Sequence, residues 1–461
     1  MDISKVASVY FLGIGGIGMS ALARYFRSLG AQVSGYDRTP SPLTTALQNE
    51  GMDIAFTDDV SLIPPGIDMV VNTPAVKQDH PAYEYFRESG IPVYKRAEVL
   101  GMISAQYKTI AIAGTHGKTT TTTLTAHILT HSHIKCQAFL GGISRNYDSN
   151  LLLDDHSPFL VAEADEFDRS FLHLHPHIAV ITSVDADHLD IYGNHESLLE
   201  SFTSFAGNIK EGGTLIIKRG LELPLRLNAD VKVFRYSSGG VCDFYPQNLR
   251  LEHGLYTFDL RYPEGLIPGL TLGVPGFYNI ENAVAASACA LLSGVSQREL
   301  RDALASFNGV ERRFDIRINE GGLVYLDDYG HHPEELKACI SSIRQMFPGK
   351  KITGIFQPHL YTRTRDFATE FAEELSHLDE VILLPIYPAR ETPIPGITSE
   401  WLLELISNPD KKHVGKSEIP ACLDPGSLEV LVTMGAGDID TLVKPIEDYL
   451  KQFLHTNQYK R

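Results

Sequence analysis

The first half of the chain alternates short apolar runs with longer amphipathic stretches. The longer stretches repeat their apolar residues at helical spacing, whereas the runs have the length and composition of buried strands. Strands that alternate with helices predict a parallel sheet covered by helices. Four such runs open the chain, at 8–13, 31–37, 68–72 and 91–94, and five more follow, at 108–114, 135–142, 158–165, 177–183 and 213–218.

The pattern changes near residue 249 and again after residue 307. Between 249 and 274 apolar and polar residues alternate among glycines and prolines, which predicts a small antiparallel meander. After a helical stretch at 279–294, a third strand–helix series has apolar runs at 323–328, 351–357, 380–385 and 428–438. We therefore predict an α/β chain of three domains, with boundaries near residues 104 and 310, comprising residues 1–104, 105–310 and 311–461.

Composition narrows the class of protein. A chain of 461 residues with 43% apolar and 21% charged residues fits a globular protein of several domains. Its formal charge of −17 argues against nucleic acid as a partner, because nucleic-acid binders need a basic face. The five cysteines are scattered without a CxxC pair, and no apolar run approaches the length of a membrane helix. We expect a cytoplasmic monomer or homodimer that acts on small molecules, away from membranes.

The stretch "KTIAIAGTHGKTTTTT" (108–123) predicts a phosphate-binding loop between a strand and a helix. It departs from G-x-x-x-x-G-K-[ST] because Gly114 lies only three residues before Gly117. The remaining elements are present: helix-start amides, a cation at Lys118, and a hydroxyl at Thr119 that can ligate Mg²⁺. Thr120 is a further phosphate contact, and the later threonines pack or cap. The alternative is a glycine-rich turn that binds nothing.

Acidic side chains follow two of the predicted central strands. Glu163 ends one strand and is followed by Asp165, Glu166 and Asp168, whereas the string "VDADHLD" (184–190) ends the next strand and contains His188. Carboxylates beside a phosphate loop suit Mg²⁺, which prefers oxygen ligands. Solvated turns are the alternative explanation.

The strings "GTHGKTTTT", "EADEFDRSF" and "DADHLDIY" resemble the ATPase domain of the Mur ligases, which build the peptide stem of bacterial peptidoglycan. The resemblance implies that ATP phosphate passes to a carboxylate, giving an acyl phosphate that an amine attacks. It also implies a Rossmann-like N-terminal domain, a P-loop-type ATPase central domain with the antiparallel subdomain, and a Rossmann-like C-terminal domain. Lys118 would be catalytic, the ATP loop would comprise Gly114, Thr115, His116, Gly117, Lys118, Thr119 and Thr120, and Mg²⁺ would be held by Thr119, Glu163 and His188.

The N-terminal string "FLGIGGIGMSALARYF" (11–26) contains the spacing G-x-G-x-x-G, with Asp37 further along the chain. Taken alone, this spacing indicates a dinucleotide site and an NAD(P)-dependent oxidoreductase. The fuller string resembles the UDP-binding domain of the Mur ligase that joins L-alanine to UDP-N-acetylmuramate. That resemblance implies that the UDP pyrophosphate and nucleoside are bound by Gly15, Gly16, Ile17, Gly18 and Asp37.

The remaining motifs resemble the parts of a Mur ligase that bind the adenine of ATP and the amino-acid substrate. "PGFYNIENAVAA" (275–286) resembles the stretch whose Asn279 and Asn282 face adenine, although Tyr278 replaces the family's usual histidine. "DDYGHHPEE" (327–335) and "FQPHLYTRTRDF" (356–367) resemble the amino-acid end, which implies a pocket of Tyr329, His331 and Arg363. There Arg363 would pair with the alanine carboxylate and His331 is one candidate general base, with water the other. Leu360 stands where the family commonly has arginine, so the clamp rests on Arg363 alone or recruits Arg365.

The stretch 196–210 helps to choose among the Mur ligases. Members that add later residues carry a carbamoylated lysine there, whereas Lys210 is the first lysine within this stretch of the present chain. This absence agrees with the alanine-adding member. The alternatives are a ligase that reattaches recycled muropeptides, an NAD(P)-dependent oxidoreductase, and a nucleotide-gated binding protein without chemistry.

Overall fold

A computed structural model describes residues 3–77, 79–187, 189–389 and 391–458. Its internal contacts divide the chain into two compact units. The first contains Met1–Glu252, Tyr256–Gly273 and Ile280–Gly309, and the second contains His253–Leu255, Val274–Asn279 and Val310–Arg461. Within the described part of the chain, no helix is both long enough and apolar enough to cross a membrane.

The N-terminal sheet is fully parallel, with the order β3-β2-β1-β4-β5. The strand order reverses between β1 and β4, which is where open α/β sheets bind ligands. The predicted Rossmann-like arrangement is confirmed. Its strands are β1 (Ser8–Leu12), β2 (Gln32–Tyr36), β3 (Asp53–Ala55), β4 (Met69–Asn72) and β5 (Val93–Lys95), and its helices are α1 (Ile17–Ser28), α2 (Pro42–Asn49), α3 (Pro81–Glu88) and α4 (Arg96–Ser104), with short 3₁₀ turns at Ile3–Lys5 and Val60–Leu62.

The central sheet has the order β12-β11-β10-β6-β9-β7-β8 and is parallel except for β8, which pairs antiparallel with β7. A separate three-stranded sheet, β13-β14-β15, confirms the predicted meander. The strands are β6 (Lys108–Ala113), β7 (Gln137–Ser144), β8 (Ser149–Leu152), β9 (Phe159–Glu163), β10 (Ile178–Ile181), β11 (Thr214–Lys218), β12 (Lys232–Tyr236), β13 (Tyr245–Glu252), β14 (Leu255–Tyr262) and β15 (Gly265–Thr271). The helices are α5 (Lys118–His131), α6 (Leu189–Tyr192), α7 (His195–Gly207), α8 (Tyr278–Leu292) and α9 (Gln297–Ser306), with a 3₁₀ segment at Phe167–His173.

The C-terminal sheet has the order β16-β17-β21-β18-β19-β20, and only β16 is antiparallel to its neighbour. Two apolar clusters form separate cores of this unit. Its strands are β16 (Asp315–Glu320), β17 (Leu323–Asp328), β18 (Ile352–Phe356), β19 (Glu380–Leu383), β20 (Lys411–His413) and β21 (Val430–Met434). Its helices are α10 (Pro333–Met346), α11 (Tyr361–Asp366), α12 (Ala368–Leu375), α13 (Ser399–Leu405) and α14 (Asp440–Gln458), with a 3₁₀ turn at Lys416–Glu418.

The N-terminal and central sheets pack together within the first unit through α1. Asn150 on β8 is fully buried and donates to the carbonyl of Ile17 at 2.6 Å and to Oγ of Ser20 at 2.9 Å. The start of α1 is therefore tied to the central sheet by hydrogen bonds as well as by apolar packing. The domain boundaries near residues 104 and 310 stay predictions, and the three large sheets lie in the three predicted ranges.

The threonine run is buried in the first turns of α5. All five hydroxyl residues from Thr119 to Thr123 are buried, in a helix that packs against β7, β9 and α9. Thr123 Oγ1 donates to the carbonyl of Thr119 at 2.8 Å, and Thr125 Oγ1 donates to that of Thr121 at 2.7 Å. These bonds to the preceding turn satisfy hydroxyls that would otherwise oppose burial. The later threonines therefore pack, as predicted.

Candidate functional site

The loop between β6 and α5 requires glycine at both ends. Gly114 has φ +137°, and a Cβ there would collide with Oγ1 of Thr182. Gly117 has φ +79° at the N-cap of α5, and its Cβ would lie 2.7 Å from Oδ1 of Asn282. The shortened loop therefore has a defined shape, with its backbone pressed against two neighbouring side chains.

Residues after β10 hold this loop in place. Ser183 Oγ accepts the amide of His116 at 2.7 Å and lies 2.9 Å from Oγ1 of Thr115. Thr182 Oγ1 donates to the carbonyl of Ala113 at 3.1 Å. Neither residue was predicted to have this role, although both follow a strand that pairs with β6. A hydroxyl at position 183 thus fixes the path of the loop.

Lys118 is held by Glu166 and by the loop itself. Its Nζ lies 2.8 Å from Oε1 of Glu166 and 2.6 Å from the carbonyl of Gly114. Burial disfavours the ammonium, yet Glu166, Asp165 and Glu163 together raise the pKa of Lys118 above its ordinary value. The lysine is therefore charged at neutral pH. Glu166 belongs to the acidic cluster that follows β9, and no role was predicted for it.

The oxygen atoms predicted to hold Mg²⁺ come from β9 and α5. Glu163 ends β9, opposite Ile112 of β6, and its carboxylate fills the space that a Cβ on Gly141 would occupy. Thr119 lies in the first turn of α5. A carboxylate and a hydroxyl suit a hard cation, so these residues fit the predicted ion.

The third predicted metal ligand cannot be placed. His188 lies outside the described residues. Among the residues that the structure does describe, three or more histidine, cysteine or acidic side chains nowhere gather as a metal centre would require. The complete set of Thr119, Glu163 and His188 stays a prediction.

The two asparagines predicted to face adenine both have protein partners. Asn282 accepts from Oγ1 of Thr121 at 3.2 Å and lies against Gly117, in the first unit. Asn279 belongs to the second unit and donates to the carbonyl of Pro275 at 2.6 Å. Both side chains are buried. Asn282 therefore helps to shape the phosphate loop, and the contact of either asparagine with adenine stays a prediction.

The glycine-rich turn after β1 is built around a carboxylate. The amide of Gly15 donates to Oδ2 of Asp37 at 2.7 Å. Gly16 is the N-cap residue of α1, so no N-cap side chain bonds to the first amides of this helix. A Cβ on Gly18 would lie 2.9 Å from Nη1 of Arg96. Asp37 thus stands beside the predicted pyrophosphate site, at the point where the strand order reverses. Arg96 is a neighbour that sequence analysis did not identify.

In the second unit, His359 joins two residues of the predicted amino-acid pocket. Arg363 is buried on α11, with Nη1 3.4 Å from Nδ1 of His359. The ring of His359 lies 5.9 Å from that of His331 and stacks on Tyr387 at 5.7 Å. His359 and Tyr387 were not assigned from the sequence, although His359 lies in the quoted motif. Both follow strands that end at this edge of the sheet.

Tyr329, the remaining predicted pocket residue, is flanked by two cations. The guanidinium carbons of Arg312 and Arg313 lie 5.2 Å and 4.6 Å from the centre of its ring. His331, the candidate base, has Nδ1 3.0 Å from the carbonyl of Tyr329 and 3.2 Å from Oε2 of Glu335. The structure therefore links Tyr329, His331 and Arg363 through a continuous set of contacts.

The positions that depart from the family's motifs are also defined. Leu360 is buried with φ +70° and caps α11. Arg365 is half-exposed and pairs with Asp366 at 2.7 Å, and its recruitment to the carboxylate clamp stays a prediction. His332, which follows the candidate base His331, caps α10 through its side chain. Tyr278 packs edge-on against Phe314 at 6.0 Å.

Comparison with known proteins decides the family. The family model "Mur ligase family, catalytic domain" matches residues 8–108, "Mur ligase middle domain" matches 112–290, and "Mur ligase, glutamate ligase domain" matches 312–437. The chain belongs to the Mur ligase family. Mur ligases are ATP-dependent ligases, so the predicted enzyme class and the use of ATP are confirmed. The oxidoreductase and the binding protein without chemistry are thereby set aside.

Three individual Mur ligases illustrate the likeness. A UDP-N-acetylmuramate–L-alanine ligase from Porphyromonas gingivalis is 52% identical over 450 residues, which is 96% of this chain and 99% of that protein. The crystal structure of a UDP-N-acetylmuramate-alanine ligase from Thermotoga maritima has a TM-score of 0.82 at 27% identity, covering 98% of this chain and 100% of that one. A murein peptide ligase from Psychrobacter arcticus has a TM-score of 0.71 at 22% identity, covering 96% and 98%, and shares the fold. The predicted three-domain α/β architecture is confirmed.

Proposed function

We propose that this Mur ligase joins the amine of L-alanine to the lactyl carboxylate of UDP-N-acetylmuramate, using ATP. The products are UDP-N-acetylmuramoyl-L-alanine, ADP and phosphate, and the role is in the synthesis of peptidoglycan precursors. The observation that carries the proposal is the 52% identity, over nearly the full length of both chains, to a relative named for this activity. The match to a murein peptide ligase is weaker in both identity and TM-score, so a recycling role is not favoured.

The first step transfers a phosphoryl group. A lactyl carboxylate oxygen forms a bond to the γ-phosphorus of ATP, while the bridging bond to the β-phosphate breaks and ADP leaves. Lys118 offsets the charge that develops on the phosphates, and the amides at the start of α5 orient them. Mg²⁺ held by Thr119, Glu163 and His188 would supply further charge neutralisation.

The second step forms the amide. The alanine nitrogen attacks the carbonyl carbon of the acyl phosphate, the carbon–oxygen bond to phosphate breaks, and the amine loses its extra proton. Arg363 binds the alanine carboxylate, Tyr329 bounds the pocket, and His331 or water accepts the proton. The buried guanidinium of Arg363 beside His359 supports this assignment, since a guanidinium suits a two-oxygen anion.

The UDP portion of the substrate binds at the turn after β1. Gly15, Gly16, Ile17 and Gly18 approach the pyrophosphate, and Asp37 hydrogen-bonds the ribose. The reversal of strand order at this turn supports the assignment. We place the enzyme in the cytoplasm, as a monomer or homodimer that needs neither nucleic acid nor a membrane.

Release of inorganic phosphate tests the proposal. The full chain is incubated with ATP, Mg²⁺, L-alanine and UDP-N-acetylmuramate, and each component is then omitted in turn. We expect release only when all are present. Release without L-alanine would contradict the proposed coupling, and dependence on a tripeptide in place of L-alanine would favour the recycling reaction.

A further inference from the structure

The buried pair of Lys118 and Glu166 has a geometry that the reaction scheme above does not use. Both carboxylate oxygens of Glu166 lie within 2.8 Å of Nζ, and the glutamate side chain is fully buried. The carbonyl of Gly114 accepts a second hydrogen bond at 2.6 Å, and the carbonyl of Thr115 accepts a third, long one at 3.5 Å. An ammonium has three N–H donors. Two are in short hydrogen bonds to the protein, and the third has only the long contact with Thr115, which a phosphate oxygen can replace.

The glutamate is the anchored member of this pair. Its carbonyl accepts the hydroxyl of Tyr192 at 2.6 Å and the amide of Arg169 at 2.9 Å. The preceding residue, Asp165, pairs with Arg96 on α4 at 3.2 Å. The backbone of Glu166 is thus held from several sides, whereas Lys118 reaches the carboxylate with a flexible stem. The carboxylate therefore determines where the ammonium lies.

Removing the lysine from this carboxylate would be unfavourable. A buried carboxylate that loses the cation beside it loses an attraction that is strong in a medium of low dielectric constant. A nucleotide that pulled Lys118 away would have to overcome that penalty. A nucleotide that bound only the third N–H donor would leave the ion pair in place and would not incur this penalty.

We propose that Glu166 is a positioning residue for the nucleotide, which keeps the ammonium of Lys118 beside the loop so that one N–H donor serves the terminal phosphates. The ion pair persists when the nucleotide binds. This inference rests on the proposed ATP site, and it assigns a function to an acidic residue next to the predicted metal ligands.

Nucleotide affinity measured without turnover tests the proposal. The dissociation constant of the β,γ-imido analogue of ATP is measured by calorimetry for the full chain, for Glu166→Gln, for Lys118→Met and for the double variant. Glutamine keeps the shape but lacks the charge, so we expect the analogue to bind Glu166→Gln about tenfold more weakly. In the Lys118→Met background the same change should cause no loss, because the lysine through which it acts is absent.

The matched control is Asp168→Asn. This change removes an ion pair with Lys95 from the same segment at a residue that does not touch Lys118, and asparagine accepts the φ of +52°. The dissociation constant should stay within about twofold of that of the unmodified chain. Thermal unfolding of every variant identifies any that fail to fold. If Glu166→Gln does not fold, Glu166→Asp tests the proposal in its place. Aspartate keeps the charge on a shorter side chain, so it should weaken binding of the ATP analogue about threefold.

Each other outcome contradicts one specific claim. Tighter binding by Glu166→Gln would mean that the carboxylate competes for Lys118, and unchanged binding would mean that it does not act on the nucleotide; both overturn the inference. Equal losses in the two backgrounds would assign Glu166 a structural role and would overturn it too. Failure of the unmodified chain to bind the analogue would instead contradict the proposed ATP site.

Discussion

The phosphate loop after β6 and the glycine-rich turn after β1 join a strand to a helix in similar ways, yet they are stabilised differently. The loop carries its own cation, Lys118, which is balanced by the buried Glu166. The turn has no cation within its own sequence, although Arg96 of α4 lies beside Gly18, and its Gly15 amide is bonded to Asp37. A triphosphate needs more charge compensation than a diphosphate that forms one part of a larger ligand. The difference therefore agrees with ATP at the loop and a UDP-linked sugar at the turn.

The largest expected effect comes from removing the cation. Lys118→Ala should lower the rate of phosphate release by about a thousandfold, because charge on the transferring phosphoryl group is no longer offset. The affinity for UDP should stay within about twofold, since the turn lies on a different sheet. Steady-state assays and calorimetry with UDP measure the two effects. Loss of UDP binding in a folded variant would mean that the two sites are not separate.

Substituting the glycines distinguishes the two turns by stability. Gly114→Ala places a methyl group against Thr182 at φ +137° and should lower the free energy of unfolding by about 3 kcal/mol. Gly16→Ala has an ordinary φ of −66°, and its Cβ would lie 3.6 Å from the nearest atoms, so it should fold with an unchanged Tm and lose affinity for UDP. Chemical denaturation and calorimetry measure both variants. A destabilised Gly16→Ala would contradict our expectation that the turn accepts a methyl group in ordinary van der Waals contact.

The bonds that hold the loop should have a smaller effect. Ser183→Ala removes the acceptor for the His116 amide and the contact with Thr115, and it should weaken binding of the ATP analogue about fivefold. Binding of UDP to the same variant serves as the internal control. An unchanged affinity for the ATP analogue would show that the loop keeps its shape without Ser183.

The carboxylate at the turn should have the smallest effect. Asp37→Asn keeps an oxygen that can accept the Gly15 amide but loses the charge that strengthens bonds to the ribose hydroxyls. We expect UDP affinity to fall about threefold, with the affinity for the ATP analogue unchanged. Calorimetry with both ligands measures the difference. A larger loss for the ATP analogue than for UDP would reverse our assignment of the two turns.

The strands that were predicted from the sequence and those that were missed occupy different positions in the sheets. Most strands inside the three large sheets are near-continuous apolar runs because helices or loops cover both faces, and all of the inside strands were predicted. The missed strands all lie at sheet edges, where one side is solvated and the apolar signal is short or mixed: β3, β8, β12, β16 and β20. Local composition does not distinguish such a segment from a loop.

The same contrast applies to the site. Gly117, Lys118 and Asp37 could be singled out because each belongs to a pattern of residue spacing in the sequence, and their contacts with ligands stay predictions. Glu166 and Ser183 could not, because their roles depend on which strands pair with β6, and pairing is a property of the folded sheet. The sequence shows only that polar residues follow a strand. The partner that each one finds becomes visible when the sheet order is known.

The claim that matters most is that ATP phosphate passes to the substrate carboxylate before the amide forms. Turnover of UDP-N-acetylmuramate labelled with ¹⁸O in its lactyl carboxylate tests this claim directly, with mass spectrometry of the released phosphate as the readout. We predict that each phosphate carries one ¹⁸O atom, because the carboxylate oxygen that attacks phosphorus leaves with it. Phosphate free of ¹⁸O, released together with the amide product, would contradict the acyl phosphate and the mechanism built on it.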